Sequence, residues 1–515
     1  MQYGFVINQE TCIGCHACTV ACKAENDVPV GGFRTNVKYV ESGKFPEVRR
    51  SFLVQRCNQC SDAPCVTICP VNALTKRPDG IVDVDRDACI GCRACMQACP
   101  YDALYLNEDL GAVEKCHFCA HRIEKGLEPA CVTVCPVGAI IPGDFDDPAS
   151  RVSLLRRAQV LTARRPEQGT GPNVLYIGAS AVSLQPGSAE KPRSYMWSER
   201  RDTRPEAWPT EVATEPDARE VLNADHSVEW GWTVALYLLT KGIAAGAAMI
   251  APFFGLFRSH VPWWLPESVA LFFTLVTVFL LVEDLAKPMH FYKLFTRPNW
   301  DSWLVKGGIV LTVFALASAL ILLLQYQTWR FYETAEFAPP GPAFPSEAVI
   351  WLRWGNALVG ALVAGYTAFL FKQCKGRDLW EADGLLWHLL AQSVTAGAAF
   401  FLLVGVGGNV SVVAFLVGAV SLLALHLAAR GHKGVTDNER QARGFLREAK
   451  IGRFGVESGL MSVVLLCAGL VALTAFPALG SISLFVQVAC AAAVLLFLFA
   501  YERVFVRAGQ LPPLS

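Results

Sequence analysis

The stretch Cys89-Ile90-Gly91-Cys92-Arg93-Ala94-Cys95-Met96-Gln97-Ala98-Cys99-Pro100 decides how the first third of the chain must fold. Its spacing, C-x2-C-x2-C-x3-C, lets three thiolates wrap one inorganic cube and sends a fourth, on the start of a helix, to a neighbouring cube. Cys12, Cys15, Cys18 and Cys22 repeat it. Two further groups are Cys57, Cys60, Cys65 and Cys69, and Cys116, Cys119, Cys131 and Cys135. Pro70, Pro100 and Pro136 follow the last cysteine of three groups and fix the backbone direction there; Lys23 takes that place in the first. Crossed ligands mean that clusters are built in pairs, so four groups make two modules.

Zinc suits an isolated Cys-x2-Cys pair, and disulfides suit an oxidising compartment. Four consecutive four-cysteine groups argue against both and for iron–sulfur electron transfer. Arg56, Lys76, Arg77, Arg93 and Lys115 lie among the ligand groups. Positive charge there would raise a cluster's potential, although ordinary surface solvation is the simpler expectation for each.

The rest of the chain has a different texture. Of nineteen cysteines in 515 residues, sixteen fall between Cys12 and Cys135, and almost all long apolar runs come after Trp230. The 45 basic and 45 acidic residues balance, so no global field points to nucleic acid. Between them, residues 181–228 read as a linker strap rich in Pro, Glu, Arg, Ser and Thr, as in Glu211-Val212-Ala213-Thr214-Glu215-Pro216. Val174-Leu175-Tyr176-Ile177 reads as a last strand of the cysteine-rich domain, residues 1–180.

Eight apolar stretches follow, near 231–256, 266–282, 305–325, 354–371, 386–404, 410–429, 458–476 and 482–500. Most approach the ~20 residues that span a bilayer as helix. Gly405-Val406-Gly407-Gly408-Asn409 between the fifth and sixth favours a hairpin over one long helix. Loops 283–304, 372–385 and 430–457, the tail after Tyr501 and Lys306 carry sixteen Lys and Arg; the opposite loops carry Arg258, Arg330 and Arg353. The positive-inside rule puts the sixteen, both termini and the cysteine-rich domain in the cytoplasm, with the chain a multi-pass protein of the cell inner membrane. The sequence enters its first cysteine motif without an apolar leader or twin-arginine signal, which agrees.

Ile13-Gly14-Cys15-His16-Ala17-Cys18, Cys57-Asn58-Gln59-Cys60, Cys89 to Cys95 and Lys115-Cys116-His117-Phe118-Cys119 resemble the iron–sulfur subunits of the molybdenum oxidoreductases, such as those of dimethyl sulfoxide and polysulfide reductases. The resemblance implies one cluster on Cys12, Cys15, Cys18 and Cys135 and a second on Cys22, Cys116, Cys119 and Cys131. It implies a third on Cys57, Cys60, Cys65 and Cys99 and a fourth on Cys69, Cys89, Cys92 and Cys95. No position is replaced, so four [4Fe–4S] cubes are expected. Most of residues 229–430 resembles the NrfD-like polysulfide reductase membrane subunits, and residues 229–515 read as an eight-helix anchor of that kind with a quinone site. Tyr237 to Ala247, Glu283-Asp284-Leu285-Ala286-Lys287-Pro288, Thr296-Arg297-Pro298-Asn299 and Ser302-Trp303 carry that likeness. Ala286 and Lys287 stand where the family has Gly and Arg.

The resemblance implies an α+β ferredoxin-like double dicluster domain followed by eight transmembrane helices in two four-helix bundles. It also implies a separate molybdopterin (Mo or W) catalytic subunit and exchange with a quinone pool, menaquinone or ubiquinone, as in anaerobic or sulfur respiration. A quinone site needs an apolar slot near a cluster, with groups that exchange protons. The candidates are His388, Asp284, Tyr366 and Lys241, then Glu283, His290, Trp230 and Trp387; ionisable groups at membrane depth are costly and usually functional. A snorkelling or paired Lys241, and plainly packed Asp284 and Tyr366, are the structural alternatives. His290, His388 and His426 form no obvious pair at matched depth, so no haem is expected. Two other readings stay open: a proton-translocating, quinol-oxidising complex of the alternative complex III type, and an anchor without its own quinone site.

Overall fold

The computed structural model describes residues 1–190, 217–224, 228–257, 261–334, 347–432, 434–451, 454–474 and 482–514. Four short helices each begin inside a cysteine group: Ala17–Glu25, Pro64–Ile68, Ala94–Ala98 and Ala130–Thr133. Three stop short of their Cys-Pro pair, since proline has no N–H and disfavours helical backbone at the residue before it. The first group has Lys23 instead, and its helix runs on through Cys22 to Glu25. Lys23 Nζ then donates to the carbonyls of Gly32 (2.6 Å) and Pro29 (3.0 Å), tying down the loop that follows.

Strands frame these helices. One sheet has the order Ile140–Asp144, Tyr3–Asn8, Val174–Ile177, Thr162–Ala163. Val174–Ile177 is the strand expected there, and it runs parallel to the N-terminal strand with Phe5 opposite Val174. A second sheet joins Thr35–Ser42 to Arg49–Arg56 and to Arg219–Leu222, so part of the strap adds a strand to the cysteine-rich domain. Glu211–Pro216 lies outside the described residues.

Eight helices are long and apolar enough to cross a membrane. They are Trp232–Leu256, Leu265–Glu283, Trp303–Thr334, Glu347–Lys372, Leu385–Leu403, Gly408–Gly431, Val456–Leu473 and Ile482–Gln510. The third, fourth and eighth outrun their apolar stretches, and on the fourth and eighth the extensions carry buried polar residues, Arg353 and Glu502. Glu502 on the eighth is only 2% exposed. Between the fifth and sixth, Gly405, Gly407 and Gly408 have φ of 70°, 94° and 50°, a hairpin that side chains would strain. Helices one to four pack as one bundle and five to eight as another.

The first and fifth helices form the seam between bundles. Gly246 and Gly397 meet there, and a Cβ on Gly246 would overlap the Ser393 carbonyl oxygen. Small residues allow this close approach, which drives helix association where lipid offers no hydrophobic gain. Arg353, counted among the outer loop charges, is instead buried in the fourth helix, with Nε 2.6 Å from Glu267. The basic loops on the other side meet the cysteine-rich domain: Lys287 Nζ donates to Arg86 O (3.1 Å), and Arg297 pairs with Asp85 (3.5 Å). Gly246→Leu should force the bundles apart at a cost of at least ~1–3 kcal/mol. Thermal denaturation in detergent should show a lower midpoint, with Gly246→Ala milder.

Candidate functional site

The cysteine groups fold into two matching halves. Gly14 and Gly91 share φ 70°, and His16 and Arg93 have φ 59° and 58°. Gln59 and Phe118, inside the Cys-x2-Cys pairs of the other two groups, are left-handed as well, at 47° and 59°. These turns curl each loop so that its thiols converge on one side.

Every described cysteine is free of disulfide. The charged neighbours of the buried thiols are mainly other cysteines, and they form four neighbourhoods that touch at Cys18 and Cys131 and at Cys65 and Cys95. Cys12 faces Cys135 and Cys15, with Cys18 beside Cys12. Burial pushes the Cys22 thiol up to about 12, with Cys116, Cys131 and Cys119 around it adding to the shift. Cys60, Cys65 and Cys99 gather about Cys57. Burial pushes Cys92 up to about 12, beside Cys69 and Cys89, and Cys95 faces the same three. Among the described residues no three such donors converge on a single ion.

The sulfurs are also hydrogen-bonded in a repeating way. In Cys69-Pro70-Val71-Asn72-Ala73 the Ala73 N–H points at Cys69 Sγ (3.3 Å), and in Cys135-Pro136-Val137-Gly138-Ala139 the Ala139 N–H points at Cys135 Sγ (3.3 Å). Ala103 does the same for Cys99. The residue before each alanine, Asn72, Asp102 or Gly138, turns left-handed. In the first group, without proline, Asn26 at the matching position donates from its side chain to Cys22 Sγ (3.6 Å). This Cys-Pro-x-x-Ala repeat was visible in the sequence. Donors aimed at sulfur stabilise its charged form and fit an iron–sulfur ligand.

Two cations thought to be surface charges are buried instead. Arg56, 3% exposed, donates from Nη1 to Cys131 Sγ (3.2 Å) and lies over the Phe5 ring. Lys115, 1% exposed, donates to Val82 O and Cys116 O. Lys76 does lie at the surface, bonded to Ser61 O (2.9 Å).

The fourth set is pinned to the membrane helices. Asn299 Nδ2 donates to Cys69 O (2.8 Å) and its N–H to Pro70 O (3.0 Å), while Ser302 Oγ donates to Ile68 O (2.7 Å). The N–H groups of Ala286 and Lys287 donate to Gly91 O and Ile90 O. Beneath this contact lies a mostly apolar cavity of about 280 Å³, lined by Cys92, Trp230, Tyr237, Asp284, Leu285, Tyr366 and neighbouring aliphatic groups. Burial raises the Asp284 carboxyl above its ordinary value, against the pull of the Thr233 hydroxyl (2.7 Å) and Arg93.

The cavity thus brings together three of the sequence candidates, Asp284, Tyr366 and Trp230, and adds Tyr237. Tyr237 precedes Lys241 by one helical turn, a spacing that could have flagged it. Lys241 stands behind the wall, its Nζ 4.8 Å from the Tyr366 ring centroid and bonded to Thr367 Oγ1. The other candidates lie elsewhere. Glu283 is exposed, Trp387 is 63% exposed, and His290 contacts Lys293 (3.3 Å). His388 lines a second cavity with His426, and their ring centroids are 4.8 Å apart. The reading that these histidines are unmatched is therefore corrected; helices five and six bring them to one depth.

A 4Fe-4S binding domain matches residues 3–24 and a 4Fe-4S dicluster domain residues 48–145. The model "Polysulphide reductase, NrfD" matches residues 220–501, more than half of the chain. The chain therefore belongs to the NrfD family. It is a multi-pass membrane protein with an iron–sulfur electron-transfer domain fused ahead of the NrfD region, related to reductase complexes. The B component of tetrathionate reductase from Salmonella typhimurium is 44% identical over 189 residues, 36% of this chain and 76% of that protein. The B component of polysulfide reductase from Wolinella succinogenes is 39% identical over 179 residues, 34% of this chain and 94% of that protein. The arsenate respiratory reductase iron-sulfur subunit of Shewanella is 35% identical over 230 residues, 35% and 98% of the two proteins.

Arg56→Gln should lower the midpoint of one iron–sulfur signal by tens of millivolts, the scale of a ~1–3 kcal/mol charge-assisted hydrogen bond. A redox titration followed by electron paramagnetic resonance, with iron content unchanged, checks this.

Proposed function

We propose that this chain is the electron-transfer and membrane-anchor subunit of a respiratory complex, passing electrons between a separate molybdopterin-bearing subunit and the quinone pool. The observation that carries this reading is the shared wall: Cys92 of the fourth cysteine set and the proton-bearing Asp284 and Tyr366 line one cavity. At about 280 Å³ it lies just under the usual volume of a small-molecule site and shares its character, apolar with a few convergent polar groups.

In this reading residues 1–180 are the electron-transfer domain, 181–228 the strap and 229–515 the anchor. The four cysteine sets hold four cubes, and Cys22, Cys69, Cys99 and Cys135 are the crossed ligands. Bound clusters supply one-electron transfer; the protein supplies burial, spacing and hydrogen bonds. Asp284, raised by burial, keeps its proton at pH values where an ordinary carboxyl has lost it, so it can hand one to a quinone oxygen. Tyr366 offers a hydroxyl proton on the same wall, and the apolar lining excludes bulk water.

The names of the relatives, B components of tetrathionate and polysulfide reductases, support a separate catalytic partner. The family resemblance supports molybdopterin as that partner's cofactor. With Arg353 removed from the count, Arg258 and Arg330 alone oppose the sixteen basic residues on the iron–sulfur side, which supports a cytoplasmic iron–sulfur domain.

Four sets of four irons predict sixteen iron and sixteen labile sulfide per chain in anaerobically purified protein. With reduced viologen as donor and a short-chain quinone as acceptor, Asp284→Asn and Tyr366→Phe should each slow quinone reduction by about 100-fold. Cluster spectra should be intact. Wild-type rates in both variants would contradict the site.

A further inference from the structure

The quinone site leaves a row of buried polar groups across the seam between the two bundles without a role. Lys241 on the first helix and Glu502 on the eighth are each 2% exposed in otherwise apolar spans. They are electrostatic partners across the seam between bundles. Buried charge at this depth is costly and marks ion or proton pathways.

The row continues in both directions. Toward the quinone cavity, Lys241 Nζ donates to Thr367 Oγ1, and Thr367 lies within reach of the Tyr366 hydroxyl. Away from it, the Glu502 carboxylate accepts from Gln392 Nε2. Gln392 lies one turn from His388 on the same face of the fifth helix. The His388 ring is 4.8 Å from His426 and 5.5 Å from Tyr501, centroid to centroid. These three rings line the second cavity, about 650 Å³, which also meets Gln168 of the iron–sulfur domain and Asp378, joined by a 3.2 Å hydrogen bond. Its mouth therefore lies on the iron–sulfur side of the membrane.

One more feature singles out this row. Nε2 of His388, Nε2 of His426 and Oε1 of Gln392 are buried and find no hydrogen-bond partner among the described residues. Such groups are costly unless small exchangeable molecules bond them. Orphaned imidazoles beside a polar cavity are suited to take up and release protons.

We propose that this row is the proton route of the quinone site. It runs from the second cavity through His388, His426 and Tyr501, past Gln392 to Glu502 and Lys241, and on to Tyr366. The inference rests on the quinone reading above. Each quinone reduced to quinol takes two electrons through the iron–sulfur domain and two protons through this row. Quinol oxidation sends two of each back along the same paths.

The test uses the full chain with its clusters, in membranes, with reduced viologen and a short-chain quinone. Glu502→Gln and Lys241→Met should slow steady-state turnover at least about tenfold, the scale of a lost proton-transfer group. Binding of a quinone-analogue inhibitor and cluster spectra should not change. Added imidazole or a small weak acid should restore part of the rate, and Glu502→Asp should retain most of it; a purely structural Glu502 would not respond to added acid. Turnover of both variants within twofold of wild type, while Asp284→Asn is slow, overturns the route and leaves the quinone site standing. Slow turnover without rescue by acid or by Glu502→Asp also overturns it. Failure of the inhibitor to bind the wild-type protein would remove both.

Discussion

The structure depends on how the Cys89–Cys92 loop is seated on the ends of the membrane helices. Electron transfer falls steeply with distance, so a cluster serves a membrane carrier only if nothing thick lies between. Here the backbone of Ile90 and Gly91 accepts from Lys287 and Ala286, and Asn299 and Ser302 hold the carbonyls of Cys69, Pro70 and Ile68. These bonds leave Cys92 on the cavity wall rather than beneath a layer of side chains. The two domains are thus docked rigidly, because their polar backbone groups are satisfied by each other.

That seat is reinforced from the far end of the chain. Gln510 closes the eighth helix by accepting from Gln97 Nε2 (3.0 Å) and from the Trp230 N–H (2.9 Å), and Arg377 Nη1 donates to its carbonyl (2.9 Å). Arg164 Nη2 donates to Leu514 O (2.9 Å), so the tail runs beneath the iron–sulfur domain. Trp230 and Trp380 stack between these contacts, centroids 5.5 Å apart. The C-terminal end, the linker end and the third cysteine group meet at one buried junction. A long wire of cofactors needs such rigidity, because small shifts in spacing alter every transfer step.

Much of this was legible in the residues. The four cysteine groups, the final strand and the eight helices were all visible as spacing and periodicity. Lys23 stands where the other groups have proline, and the helix there runs longer. What escaped was partnership across sequence distance. The apolar run seemed to end at residue 500, so Glu502 was counted with a tail, although tertiary packing carries that helix to Gln510. His388 and His426 looked unmatched, although they lie at similar distances from the hairpin between helices five and six, where their rings meet. Arg56 looked like surface charge, since nothing local reveals that a strand end will carry it to Cys131. His388, grouped with Asp284 as a proton-exchanging residue at membrane depth, lies in a different cavity for the same reason.

The central claim is that a quinone sits against the cluster held by Cys92. Its most direct test is the spin relaxation of a semiquinone trapped in the full chain during a redox titration. The account predicts a semiquinone whose relaxation is strongly accelerated by a neighbouring reduced iron–sulfur centre, with the signal lost in Asp284→Asn. A semiquinone that relaxes as an isolated radical, or one unchanged by that substitution, would contradict it.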